Sequence, residues 1–161
     1  MSGRQQVNRW RRAVLLASVG ALVVSAPAAA VGSNADVTKG SFHAIAAGIT
    51  QNIAVGGDAV MVRVPLGRTL VVVFASGLAP NTTYGSHVHS QACANGDADG
   101  HYKFDPSGAA DSANEIWPGF TTNAQGIGIG FAQNAGIAGL TAVSVVIHAP
   151  GGAKIACADL K

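Results

Sequence analysis

The chain is poor in charge: charged residues make up 11% of its 161 positions, and aromatic residues 6%. With so little charge there is no material for surface helices with one polar face, and few segments show the 3.6-residue periodicity of an amphipathic helix. Long apolar runs are also missing. The longest, Ala13 to Val24, is shorter than the roughly 20 residues that a membrane-spanning helix requires. There is no internal repeat and no linker-like stretch that would divide the chain.

The short run belongs to a different pattern. Arg4, Arg9, Arg11 and Arg12 precede it and "SAPAAA" follows, which together form the basic region, apolar region and small-residue cleavage site of a secretory signal peptide. Residues 1–30 are read as that leader and residues 31–161 as one mature domain beginning between Ala29 and Gly32. Arg11-Arg12 is compatible with twin-arginine export. Loss of the leader removes four of the ten basic residues and none of the eight acidic ones, so the formal balance moves from +2 (10 − 8) to −2 (6 − 8). A nucleic-acid partner is not suggested by such a domain, and neither is a membrane surface. The expected location is exported, periplasmic or extracellular.

What is present is glycine, alanine, valine, threonine and isoleucine in short runs bounded by turn formers. Ala59–Val64, Thr69–Ala75, Thr83–His89, Gly126–Ala132, Ala142–Ala149 and Ile155–Leu160 read as strands, punctuated by Gly56-Gly57-Asp58, Pro80-Asn81 and Pro150-Gly151-Gly152. The expectation is an all-β sandwich or barrel. Residues 31–39 read as a loose lead-in. Ser90 to Gly119 carries no strand pattern, and a connection of that length usually marks function or disorder. Asn81-Thr82-Thr83 is a glycosylation sequon in a host that modifies exported proteins.

Two cysteines, Cys93 and Cys157, lie far apart in the chain. An oxidising compartment favours joining them; two buried thiols are the alternative. His87 and His89 are two residues apart, so on a strand they project from the same face and can chelate a metal or stand as a solvated pair. His101 follows in the long loop and His148 ends an apolar strand. Four histidines without a nucleophilic serine or cysteine partner point to a redox-capable or Lewis-acid metal site. His43 belongs to no pattern and reads as an ordinary strand or surface histidine.

Taken together, "GLAPNTTYGSHVH", "C…GHYKFDP", "VVIHAP" and "GAKIACADL" resemble the copper/zinc superoxide dismutase family in order and spacing, from about Ala59 to Leu160. The resemblance implies a Greek-key β-sandwich or flattened barrel of immunoglobulin-like type with one long functional loop. It implies one copper per chain on His87, His89, His101 and His148, a Cys93–Cys157 disulfide, and disproportionation of superoxide. His101 has the further family role of releasing reduced copper and taking up a proton. Lys154 stands where the family places a substrate-guiding arginine; a solvated strand-edge lysine is the plainer reading.

Three departures qualify the match. No histidine lies between His101 and His148, and Ile116 and Gly119 fall where a zinc histidine and aspartate are expected, so zinc is not expected unless Asp105, Asp111 or Glu115 supply oxygens. Asp105 or Glu115 is the candidate for orienting the His101 ring instead. Only "APGGA" separates His148 from Lys154, which leaves a shallower site than the family's long charged loop would. Lysine also keeps the charge of arginine without its planar fork of donors. Two other readings stay open: a copper-holding protein with little turnover, and a surface or adhesion sandwich whose histidines carry no metal.

Overall fold

Valine-rich runs such as Leu70–Ala75 cannot be solvated on both sides of an extended chain, and the computed structural model of the protein lays them side by side in two antiparallel sheets packed face to face. It describes residues 35–65 and 67–161; the leader reading of residues 1–30 lies outside these. The strands in chain order are β1 (Asp36–Ser41), β2 (His43–Ala44), β3 (Gly56–Val64), β4 (Arg68–Ser76), β5 (Thr83–His89), β6 (Phe120–Thr121), β7 (Gly128–Ala135), β8 (Ser144–His148) and β9 (Lys154–Asp159), with one five-residue helix, α1 (Ala46–Thr50), after β2. One sheet has the order β1-β3-β4-β7 and the other β2-β9-β8-β5-β6.

The protein is thus an all-β sandwich, and it is not closed into a barrel. The edges do approach each other at one corner, where Lys39 and Lys161 exchange backbone hydrogen bonds of 3.0 Å. Between the sheets lies a dry core that includes Met61, Val71, Val73, Val88, Val145, Ile147 and Ile155, all fully buried. A second, smaller cluster of Ile45, Cys93, Ala98, Val146 and Cys157 sits apart from it. Val146 and Cys157 face each other across β8 and β9. They lie on the outer side of the five-stranded sheet, so this cluster fastens the long loop to that side.

The sequence places six strands correctly, with ends shifted by a few residues. Thr83–His89 is unchanged. The strand expected from Gly126 begins at Gly128 instead, because Gly126 has a positive φ of 72° and closes a turn with its N–H on the Asn123 carbonyl. Inside β7 a Cβ on Gly130 would lie 2.0 Å from the Pro118 carbonyl oxygen, so the "GIGIG" alternation leaves room for the chain entering β6. The lead-in reading is corrected over Asp36–Lys39, which belong to β1 and pair with β3 from Asp36 opposite Arg63 to Ser41 opposite Asp58. β1 is a polar edge strand with little apolar patterning to announce it. It is held from below by Arg63, whose guanidinium donates to Asp36, Thr38 and the carbonyls of Ala138 and Ala142.

Candidate metal centre

Strand alternation builds the first half of the site. Along β5, Tyr84, Ser86 and Val88 turn into the sandwich, which leaves His87 and His89 on the outer face of the sheet. On the neighbouring β8, His148 lies opposite Gly85, and a register irregularity between Ile147 and His148 brings Lys154 of β9 opposite His148. Bulges of this kind re-aim side chains. Here the shift puts an ammonium on the strand beside a histidine of the site.

The loop from Ser90 to Gly119 supplies the other half. It is laid along the sheet rather than projecting from it: His89 and His101 form an antiparallel bridge, as do Lys103 and Glu115. Tyr102 N–H donates to the Val88 carbonyl at 2.9 Å, and Val88 N–H to the Ile116 carbonyl at 3.1 Å. Ile116 is fully buried in the main core. A disulfide joins Cys93 to Cys157, with the Cα atoms 5.8 Å apart. Such a bond belongs to an oxidising, extracellular-type environment.

These constraints gather His87, His89, His101 and His148 so that one ring nitrogen of each lies within 4.8 Å of the others. Metal–imidazole bonds of about 2.0–2.1 Å span up to about 4.2 Å between opposite nitrogens. Tetrahedral nitrogens at such bond lengths are about 3.3 Å apart, so the widest pair would draw in by about 0.6 to 1.5 Å around an ion. The His87 and His101 ring centres are 4.2 Å apart, and those of His87 and His148 4.8 Å.

The hydrogen bonds fix which nitrogen faces inward. A carbonyl oxygen only accepts, so His89 Nδ1–H donates to Ala98 O (3.2 Å) and Asp99 O (3.0 Å), and His148 Nδ1–H donates to Gly152 O (3.0 Å). In each neutral ring the lone pair is then on Nε2. Those two Nε2 atoms, together with His87 Nδ1, are buried without any hydrogen-bond partner. Buried polar atoms left unmatched typically cost about 1–3 kcal/mol each, and three of them in one histidine cluster are a set that could ligate a metal ion. Four imidazoles suit zinc, copper, iron or nickel, so the site can hold a metal ion without naming it.

His101 is oriented differently. Its Nδ1 lies 2.7 Å from Glu115 Oε2, which also accepts from Trp117 Nε1–H at 2.8 Å. Glu115 is buried and is the only glutamate in the sequence. Of the two carboxylates proposed to orient this ring, Glu115 does so. Asp105 is turned instead to Ser107, and Asp111 caps Ala113 and Asn114 at its own turn. Trp117, whose ring lies edge-on to His87 at 5.5 Å, was not singled out from the sequence; its place two residues after Glu115 is the only sequence signal.

Burial, above all, favours the neutral form of His87, His89 and His148. Burial, then the neighbouring His101 and His148, lower His87 to about 4; the same causes lower His89 to about 3. His148 is lowered by burial first, and Lys154 is among the charges that contribute. A neutral imidazole is the form that ligates.

Lys154 is itself tethered, with Nζ donating to Asp99 O at 2.6 Å and Asp97 O at 3.1 Å. Those carbonyls come from four successive residues in the left-handed region, Gly96 (φ 58°), Asp97 (52°), Ala98 (66°) and Asp99 (44°). Left-handed backbone costs roughly 1–2 kcal/mol per non-glycine residue. The turn holds because Ala98 is fully buried in the cluster around the disulfide. It presents carbonyls to both His89 and Lys154, and Asp99 O accepts from each of them. His43 is exposed on β2, opposite Cys157, and takes no part in the cluster.

None of the protein-family models matches this chain, and no curated protein matches it significantly.

Proposed function

We propose that the protein is an exported, copper-dependent superoxide dismutase-like enzyme. The observation that carries this reading is the set of three buried, unpartnered ring nitrogens completed by His101, with a lysine ammonium on the adjacent strand. The resemblance of four separate sequence segments supports it. Copper held by the four imidazoles would exchange one electron at a time with superoxide, giving oxygen in one half-reaction and, with two protons, hydrogen peroxide in the other.

The chain's own residues serve that chemistry in distinct ways. His89 and His148 are oriented by hydrogen bonds to carbonyls and the half-buried His87 is packed beside the His101, Trp117 and His148 rings, so these three would form the permanent part of the cradle. His101 is partly exposed, and a hollow of about 490 Å³ lined by Lys103, Pro106 and Thr141 adjoins it. Its ring can therefore exchange protons with solvent while Glu115 holds it in place. Lys154 draws a small anion toward the site and stabilises it on arrival.

A second reading, copper holding with little turnover, rests on one observation. The Lys154 ammonium is already engaged by two carbonyls and has one N–H left to offer. Bound metals and superoxide disproportionation measured on one purified sample separate the readings. Copper with turnover is expected. Copper without turnover selects the second reading, and a protein that binds no copper overturns both.

A further inference from the structure

Between Asp111 and Phe120 the chain passes from the long loop into β6, and its course beside the histidines is fixed from three sides. Glu115 N–H donates to Asp111 O at 2.7 Å, and the buried side-chain amide of Asn134, reaching across from β7 in the opposite sheet, donates to the Ser112 and Glu115 carbonyls at 2.8 and 2.9 Å. Ile116 points into the main core. Side chains of an extended chain alternate, so Glu115 and Trp117 leave it on the other side, where the histidines are. Pro118 confines Trp117 to the extended region and so preserves that alternation.

Trp117 is 40% exposed, too open for its ring to serve chiefly as core. Its two ends meet different members of the cluster. Nε1–H donates to Glu115 Oε2 at 2.8 Å, the same oxygen that lies 2.7 Å from His101 Nδ1, and the ring meets His87 edge-on with centres 5.5 Å apart. A carboxylate oxygen has two lone-pair sites, so these two donors saturate Oε2. An indole nitrogen only donates. Trp117 can therefore hold the carboxylate without offering His101 a competing acceptor, which leaves that ring one arrangement, Nδ1–H toward Glu115 and the Nε2 lone pair free to ligate. We infer that Trp117 is a positioning residue of the metal centre, acting through Glu115 to fix the orientation and tautomer of His101 while its own ring backs His87. This role rests on the reading of the four histidines as a copper site and adds to it a residue one step behind the direct partner of a ligand.

Two measurements on Trp117→Phe, which keeps an aromatic ring beside His87 and removes the N–H, test this. In the metal-free protein at pH 8, nuclear magnetic resonance of the ring nitrogens should show one His101 tautomer, protonated on Nδ1, in the parent and a mixture of tautomers in the variant. In copper(II) titrations against a competing chelator, the variant should bind about three- to tenfold more weakly, at or below the low end of the loss typical when a ligand's direct partner is removed. That loss should pass through Glu115. In a Glu115→Ala background the same substitution should change affinity by less than about twofold, because residues acting through one network are not additive. Trp117→Leu, which also lacks the N–H, should release the His101 tautomer in the same way if the phenylalanine variant proves unstable. A His101 tautomer that is unchanged in the variants, or already mixed in the parent, overturns the proposal. So does an affinity loss that is absent, or equal in the two backgrounds, which would make Trp117 simple packing for His87. A parent that binds no copper(II) but whose His101 tautomer depends on Trp117 overturns the copper reading and leaves the positioning role standing.

Discussion

At the scale of single residues, the centre depends on what stands behind each imidazole. Glu115 is the clearest case, because one buried carboxylate oxygen accepts from both His101 and Trp117. Removing such a partner of a ligand typically lowers metal affinity 10- to 100-fold. Glu115→Ala is therefore expected to weaken copper binding by about that factor, whereas Glu115→Gln, which keeps an acceptor oxygen, should lose less; competition with a chelator of known affinity measures both. Equal affinities for parent and alanine variant would sink the role. Lys154 has two roles, since it both carries charge and ties down the left-handed turn behind His89. Lys154→Ala should slow superoxide turnover and flatten its dependence on salt, because attraction through solvent fades beyond a Debye length of about 8 Å at physiological ionic strength. Lys154→Arg keeps the charge and should restore both rate and salt slope. An alanine variant with unchanged rate and slope would make Lys154 purely structural.

At the scale of elements, the long loop behaves as part of the sheet it covers because two fastenings hold it, the Ile116 side chain in the core and the Cys93–Cys157 disulfide. A disulfide closing a loop of 64 residues contributes about 4 kcal/mol in the chain-entropy model. Reduction should lower stability by roughly that amount in urea titrations. It should also weaken copper binding, because Ala98 and Asp99, which hold His89, are in the fastened segment. Reduction that leaves metal affinity untouched would show that the main core alone positions the loop. Element by element, legibility followed apolar patterning. Strands β3, β4, β8 and β9 were visible through inward apolar residues such as Ala59, Met61, Val71, Val73, Val145, Ile147 and Ala156, and β5 and β7 through alternation alone, since Tyr84, Ser86 and Val88 face inward on one and Gly128 and Gly130 on the other. β1 was not, being polar and paired along one side of a sheet, and β6 is only two residues long. The four histidines were legible through the period of two on β5 and through family-like segments around the others. The carbonyls of Ala98, Asp99 and Gly152 were not, since a left-handed turn through Asp97, Ala98 and Asp99 is dictated by burial against the disulfide and not by local preference.

At the scale of the whole molecule, the cluster makes the stability of the protein depend on metal and on pH together. Without metal, three buried nitrogens lack partners and three rings are held neutral at some cost. The pKa values of His87 and His89 are lowered in the folded state to about 4 and about 3, from about 6.5 in an unfolded chain, and that of His148 is lowered as well. The unfolded chain therefore binds more protons than the folded one between these limits, and stability must fall as pH falls through that window. The contribution is fully present above about pH 6.5 and is lost progressively toward pH 3. The metal-free protein should thus show a melting temperature that is level near neutrality and declines steadily below about pH 6.5. If the cradle holds copper as proposed, the ion would bind only the folded chain and add stability by mass action, so copper at neutral pH should raise the melting temperature. Protons compete for the same nitrogens, so that increment should shrink as the pH approaches 4. Calorimetric scans with and without copper from pH 7.5 to 3.5 would show both trends. If replacing His87 and His89 by glutamine left the acid branch of the metal-free curve unchanged, the decline would belong to carboxylates elsewhere in the sandwich, and the histidines would not be what links acid to unfolding.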